Sequence, residues 1–215
     1  MNPLADQLLV LTLLLNFVVL GSSRLALSVR AVALQGIALA LLPAIIHPFS
    51  WHLGGIVASM LIAKGIVIPF MIMDAIRKAE IKREVEPFIG FITSLIMGAL
   101  LTAAAFIFAQ NLPLLPEHKG LLFVPASLAT FMCGFLVLIA RRKAISQIIG
   151  YLLLENGIFV FGLLLADAMP GMVEAGALLD LLVGIFVMGI VVNHISREFS
   201  SLDTSRLTAL REDVK

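Results

Sequence analysis

The chain has 215 residues, of which 60% are hydrophobic and 13% are charged, and its mean hydropathy is +1.08. A water-soluble domain of this size needs more polar residues to cover its surface, so the composition excludes that class and indicates a protein whose main solvent is lipid. A net charge of +1 gives no basic excess of the kind that binds nucleic acid, and the single cysteine, Cys133, excludes an intramolecular disulfide.

Seven apolar runs of about 20 residues, the length that crosses a hydrocarbon core about 30 Å thick, follow one another along the chain. They lie near residues 3–22, 27–46, 53–73, 87–110, 120–140, 144–166 and 172–194. The first run lacks a positive leading segment and a small-residue cleavage site, so we expect it to stay as a helix. We therefore predict an all-α polytopic membrane protein with about seven transmembrane helices.

Basic residues gather in alternate loops between these spans. Of the 15 Lys and Arg residues, all but Lys64 and Lys119 fall on one side of a seven-span arrangement. The positive-inside rule assigns that side to the cytoplasm, which predicts an outer N-terminus and an inner C-terminus.

The longest charged connection, residues 74–86, is the predicted seam between two groups of helices. It separates an N-terminal three-helix segment, 1–86, from a C-terminal four-helix segment, 87–194. A cytoplasmic tail, 195–215, follows.

Three ionisable residues, Lys64, Glu155 and Asp180, lie near the middle of predicted spans. Each opposes membrane insertion by about 2.5–3.5 kcal/mol, so such residues generally face a protein interior or a hydrated cavity and mark proton or ion pathways. We predict that all three transfer protons. The alternative is a structural polar pair that holds helices together.

The surroundings of these residues favour the same interpretation. Pro69 cannot donate a backbone hydrogen bond to the carbonyl four residues earlier, so it makes the surroundings of Lys64 more polar. Tyr151 lies one turn before Glu155 and is a candidate hydrogen-bond partner for it. One turn before and after Asp180 stand small residues that allow a helix or water to approach it, and these are Gly176 and Gly184.

Covalent catalysis by this chain alone is not expected. The sequence contains no nucleotide-binding glycine loop, no nucleophile elbow and no metal-binding spacing. We therefore assign it no catalytic, cofactor-binding or metal-binding residue.

Residues 120–194, together with the basic end that follows to Arg197, resemble the K subunit of respiratory complex I and the C subunit of multisubunit cation/proton antiporters. The resemblance is carried by FLVLIARRKAISQIIGYLLLENGIFVFGLL and ALLDLLVGIFVMGIVVNHISR. In that family one helix carries a buried Glu after a basic inner loop, and the next carries a buried acid ahead of a basic end. Glu155 matches the first position and Asp180 the second, although the K subunit usually has Glu there.

Nearly the whole chain resembles the membrane component E of hydrogenase 4 and of similar group 4 membrane-bound nickel–iron hydrogenases, through AKGIVIPFMI, LLENG and the closing SSLDTSRLTAL. The resemblance implies a subunit without its own cofactor, in a bacterial or archaeal inner membrane, beside antiporter-like membrane subunits and lipid. The nickel–iron centre and iron–sulfur clusters are then expected in a peripheral hydrogenase arm. It implies proton translocation coupled to electron transfer through Glu155 and Asp180, with Lys64 as a third candidate.

Two other functions remain open from the sequence. The chain fits a component of a cation/proton antiporter without a redox partner, and it fits a purely structural scaffold of a membrane arm.

Overall fold

The computed structural model describes residues 3–48, 50–78, 83–85, 87–112 and 122–165. Nearly all of them are helical. In chain order the helices are α1 (Pro3–Gly21), α2 (Leu25–Ile46), α3 (Trp51–Ile62), a π-helical turn (Ala63–Val67), α4 (Ile68–Lys78), α5 (Phe91–Gln110), α6 (Phe123–Ala140) and α7 (Ala144–Leu165).

Six helices in this part of the chain are long and apolar enough to cross a membrane. The third of them, Trp51–Arg77, is continuous through α3, the π turn and α4. The prediction of an all-α polytopic membrane protein is therefore confirmed, and six spans begin and end within a few residues of their predicted positions. The predicted seventh span, 172–194, and the tail, 195–215, lie outside the described residues.

Helices on the two sides of the predicted seam pack against each other. Helix α2 contacts α7, and α1 contacts both α5 and α6. The division into segments 1–86 and 87–194 and the orientation in the membrane stay predictions.

Glycines allow α6 and α7 to pack most closely. A Cβ at Gly134 would overlap the backbone of Leu154, and a Cβ at Gly157 would lie 2.5 Å from the amide nitrogen of Phe131. Small residues at such points let membrane helices approach closely enough for extensive van der Waals contact. This contact fixes the rotation of α7 and hence the direction of its polar side chains.

At one end of the bundle, residues 83–85 contact both the turn between α1 and α2 and the turn between α6 and α7. The buried side chain of Arg141 lies at this end. Its guanidinium donates to the carbonyl of Leu20 at 2.6 Å and to that of Ile89 at 3.1 Å, and it stacks on the Phe91 ring at 4.3 Å. Burial lowers the pKa of Arg141 from its ordinary value, while the charge of Glu84 acts in the opposite direction. Arg141 thus joins the end of α1 to the start of α5.

The apolar core is divided into two clusters, one above the other along the helices. The first lies toward the Arg141 end and includes Val19, Val32, Ile72, Val137 and Ile149. The second lies toward the other end and includes Leu9, Leu39, Met60, Ala126 and Val160. Between them, a layer of polar side chains crosses the bundle at mid-height, and we call it the polar layer. Its members are Thr12, Asn16, Gln35, Lys64, Thr130, Glu155 and Asn156.

Candidate functional site

The polar layer begins at Lys64, in the middle of the third span. The π turn that carries it, Ala63–Val67, is followed by Ile68, whose N–H bonds to the Ala63 carbonyl five residues earlier. Pro69 follows immediately and has no N–H to donate, so the regular α-helical hydrogen-bond ladder is disturbed there. Single π turns inside α-helices frequently occur at functional sites.

Two glycines bring the Lys64 backbone close to α2. A Cβ at Gly36 would lie 2.9 Å from the Cβ of Lys64, and a Cβ at Gly65 would lie 2.9 Å from Cγ1 of Ile37. Because neither glycine has a side chain, α2 and the π turn pack closely. Only 6% of Lys64 is exposed.

Lys64 forms an ion pair with Glu155 of α7. The distance between Lys64 Nζ and Glu155 Oε1 is 3.3 Å, and 5% of each side chain is exposed. The ammonium also lies 5.3 Å from the centre of the Phe159 ring, within the range of a cation–π interaction. The structure therefore brings together two of the three ionisable residues that the sequence places at mid-depth.

Glu155 has acceptor capacity that its neighbours leave unused. Within the part of the chain that the structure describes, neither carboxylate oxygen has a hydrogen-bond partner, although Oε1 contacts Lys64 as an ion. The hydrogen bond that the sequence suggested from Tyr151 is therefore not formed. Buried carboxylates are normally hydrogen-bonded, so Glu155 can accept a hydrogen bond from a further donor.

A chain of side-chain hydrogen bonds continues from Lys64 across four further helices. Lys64 Nζ donates to Asn156 Oδ1 at 3.0 Å, and Asn156 Nδ2 donates to Gln35 Oε1 at 3.0 Å. Gln35 Nε2 donates to Asn16 Oδ1 at 2.8 Å, and Asn16 Nδ2 donates to Thr130 Oγ1 at 3.0 Å. These side chains come from the π turn, α7, α2, α1 and α6.

The chain of amides gives the ion pair a polar surrounding inside an apolar bundle. Asn16, Gln35 and Thr130 are fully buried, and Asn156 is almost so. Hydrogen bonds between membrane helices contribute about 0.6 kcal/mol on average and up to about 2 kcal/mol. The larger effect is electrostatic, because a buried charge is tolerated only where polar groups replace its hydration.

A small cavity lies beside Lys64, on the side of the first apolar cluster. Its volume is about 20 Å³, and Lys64, Asn156, Gly36 and Pro69 line it together with apolar side chains. A cavity of about 10–15 Å³ accommodates one water molecule when polar partners are present. The cavity therefore has room for one water beside Lys64 and Asn156.

Most of the polar layer was not among the residues predicted from the sequence. Asn156, Gln35, Asn16 and Thr130 are uncharged, and only ionisable residues were predicted to act at mid-span. The signal was present, because each lies near the middle of a predicted span. Asp180, with its neighbours Gly176 and Gly184, lies outside the described residues.

Metal-binding clusters are absent from the part of the chain described. No three His, Cys, Asp or Glu side chains come together there. The free Cys133 is buried in the first apolar cluster.

Curated proteins resemble the chain over most of its length. It is 33% identical over 187 residues to an uncharacterized protein of Mycobacterium tuberculosis (strain ATCC 25618 / H37Rv), covering 86% of this chain and 85% of the relative. It is 30% identical over 156 residues to Hydrogenase-4 component E of Escherichia coli (strain K12), covering 72% of this chain and 71% of that protein. The chain belongs to the hydrogenase-4 component E family.

The resemblance to component E of hydrogenase 4 that the sequence predicted is therefore confirmed. No family model matches the chain, and no solved structure matches it. Its resemblance to the complex I K subunit and the antiporter C subunit stays a prediction.

Proposed function

We propose that this chain is a membrane subunit of a hydrogenase complex and takes part in proton translocation coupled to electron transfer. The proton-transfer residues are Glu155 and Lys64, with Asp180 as the third. The observation that carries the proposal is the buried ion pair of Lys64 and Glu155 at the middle of two spans.

Family membership supports the redox part of the proposal. A relative is named Hydrogenase-4 component E, so the partners we expect are antiporter-like and other membrane subunits and a peripheral hydrogenase arm. The nickel–iron centre and iron–sulfur clusters belong to that arm, and this chain contributes no catalytic residue. The location we propose is the inner membrane of a bacterium or archaeon.

The geometry of the pair suits proton exchange. Transfer between Lys64 Nζ and Glu155 Oε1 has to cover a separation of 3.3 Å, slightly longer than a hydrogen bond. In a low-dielectric interior the ammonium and the carboxylate lose their hydration, so the ion pair is less favoured over the neutral amine and carboxylic acid than it is in water. Both protonation states of the pair are then accessible. The two residues can therefore hold a proton in either of two places.

Onward transfer requires a further group on each side of the pair. The cavity beside Lys64 has room for one water toward the Arg141 end. The unused acceptor capacity of Glu155 supports a second exchange partner, and Asp180 is our candidate for it.

The decisive experiment replaces Glu155 by Gln in the intact complex. The glutamine keeps the shape of the side chain but cannot take up the proton, so we expect fewer protons pumped per electron with assembly preserved. Both quantities are measured on complex reconstituted in vesicles. Asp6→Asn, an acid-to-amide change in the first turn of α1, is the matched control. Unchanged coupling in Glu155→Gln would reject the proton-transfer role.

The hydrogen bonds of the polar layer also favour a second candidate function, a structural scaffold. A chain of amides that joins α1, α2, α6 and α7 can serve assembly alone. Under that hypothesis, neutralising both members of the pair in Lys64→Met with Glu155→Gln preserves assembly and coupling. Under our proposal coupling is lost in the double variant.

Co-purification separates the redox complex from an antiporter without a redox partner. Affinity-tagged chain, solubilised from its native membrane, is expected to carry nickel and iron in fixed ratio to the protein. Recovery of the membrane subunits without either metal would favour the antiporter.

A further inference from the structure

The amide chain of the polar layer has a direction, and the α1 end imposes it. Gln35 Nε2 donates not only to Asn16 but also to the backbone carbonyl of Thr12 at 3.1 Å. A carbonyl only accepts, so the nitrogen of the Gln35 amide has to face α1 and its oxygen has to face Asn156. Asn156 must then donate with Nδ2, which leaves Oδ1 directed at Lys64.

The Lys64 end imposes the same direction independently. An ammonium group has three donors and no acceptor, so only the oxygen of Asn156 can satisfy it. That oxygen lies 3.0 Å from Nζ. The two ends of the chain therefore require the same orientation of the amides. Neither Gln35 nor Asn156 can be flipped without losing a hydrogen bond.

Alignment of the amides has an electrostatic consequence. Asn156, Gln35 and Asn16 each present the oxygen toward Lys64 and the nitrogen away from it. Aligned dipoles with their negative ends toward a cation stabilise that cation, and hydrogen bonds in series polarise one another. The arrangement favours the protonated lysine.

The amides are unsuited to carry the proton itself. Carboxamides neither gain nor lose protons readily near neutral pH, unlike the amine and the carboxyl of the pair. The chain ends at Thr130, which is fully buried. The amides therefore act on the charge of Lys64 and do not extend the proton route.

We propose that Asn156 is a positioning residue, oriented by Gln35 and Asn16, an inference that rests on the proposed function. It holds the Lys64 ammonium beside Glu155 and so sets the pH range over which the pair exchanges a proton. Asn156 acts through Lys64.

Among the charged groups on the described helices, Glu155 faces Lys64 from α7 at 3.3 Å. The other ionisable residues on the described helices packed against it lie at least one helical turn away along those helices, and they are Arg30, His52, Asp74, Arg77, Lys78 and Tyr151. The Asn156 amide is therefore the nearest described polar group that a substitution can change while Lys64 and Glu155 stay intact.

The experiment measures protons pumped per electron against pH in the intact complex. Asn156→Leu removes the oxygen that accepts from Lys64, which disfavours the protonated lysine. The alkaline limit of pumping, meaning the pH above which the pumping ratio declines, is therefore expected to fall by about one pH unit. Asn156→Asp, nearly identical in shape, places a negative charge beside Lys64, so the limit is expected to rise by about as much. Gln35→Leu leaves Asn156 unoriented and is expected to shift the limit in the direction of Asn156→Leu, by less.

Opposite shifts from Leu and Asp distinguish positioning from a merely structural role. Gln147→Leu, which removes an amide of α7 outside the polar layer, is the control and is expected to leave the profile unchanged. If Asn156→Leu fails to assemble, the two single variants Asn156→Asp and Gln35→Leu still test the positioning role. That role requires their alkaline limits to shift in opposite directions. Profiles that coincide, or that move in one direction, overturn the positioning role.

Failure of this inference is separable from failure of the proposed function. If Glu155→Gln lowers the pumping ratio while the Asn156 variants keep the original pH profile, only the positioning role is wrong. If Glu155→Gln leaves the ratio unchanged, the proton-transfer function itself is rejected.

Discussion

Gly36 of α2 lies directly against Lys64, so that a Cβ at residue 36 would be 2.9 Å from the Cβ of the lysine. The atom it would meet is fixed to the backbone and cannot rotate away. The absence of a side chain at Gly36 therefore allows the base of the Lys64 side chain to pack directly against α2.

Gly36→Ala is expected to displace Lys64 without removing a polar group. Overpacking of this kind costs about 1–3 kcal/mol. We expect lower thermal stability of the solubilised complex together with fewer protons pumped per electron. Gly55→Ala is the control, since nothing lies within 4 Å of a Cβ there. Equal behaviour of the two variants would show that the close approach does not position Lys64.

Removing one charge of the ion pair is expected to cost more than removing both. Lys64→Met leaves the Glu155 carboxylate buried without its cation, a loss of about 3–5 kcal/mol in buried pairs. Adding Glu155→Gln removes that uncompensated charge and is expected to recover part of the stability. A double-mutant cycle on thermal unfolding of the solubilised complex measures the coupling. Additive losses would mean that the two side chains do not interact.

The sequence alone predicts the spans well because a transmembrane helix requires an apolar run of defined length. It also places Lys64 and Glu155 at similar depth. It does not show that they meet, because these helices are apolar around most of their circumference and the pattern does not reveal which side faces a neighbour. Close packing at Gly134 and Gly157, which fixes the rotation of α7, depends on backbone geometry.

The polar layer was missed from the sequence for a different reason. Mid-span sites were predicted from charge, because burying a charge in a membrane is costly, and Asn16, Gln35 and Thr130 are uncharged. Their significance depends on equal depth in antiparallel helices, where they can form one chain of hydrogen bonds. Comparing the depth of all polar residues among successive spans, not only the ionisable ones, would have identified the layer.

Arg141→Lys is expected to destabilise the chain although it keeps the charge. An ammonium group cannot reproduce the planar fork that donates to Leu20 and Ile89 and stacks on Phe91. Loss of a buried hydrogen bond to a charged group costs about 1.5–3 kcal/mol. The measurement is the thermal unfolding midpoint of the solubilised complex. Arg142→Lys, at the exposed neighbouring position, is expected to cost far less. Equal midpoints would indicate that the two carbonyl contacts contribute little.

Gly157→Ala is expected to separate α6 from α7. The added Cβ would lie 2.5 Å from the amide nitrogen of Phe131 and 2.9 Å from the carbonyl oxygen of Ser127, and backbone atoms cannot give way as a flexible side chain does. The helices must move apart or rotate, which carries the adjacent Asn156 and Glu155 away from Lys64. We therefore expect both lower stability and lower proton coupling. Gly162→Ala in the same helix is the control, because nothing lies within 4 Å of a Cβ there and the change is expected to be nearly neutral. Retained coupling in a destabilised Gly157→Ala complex would show that the pair tolerates movement of α7.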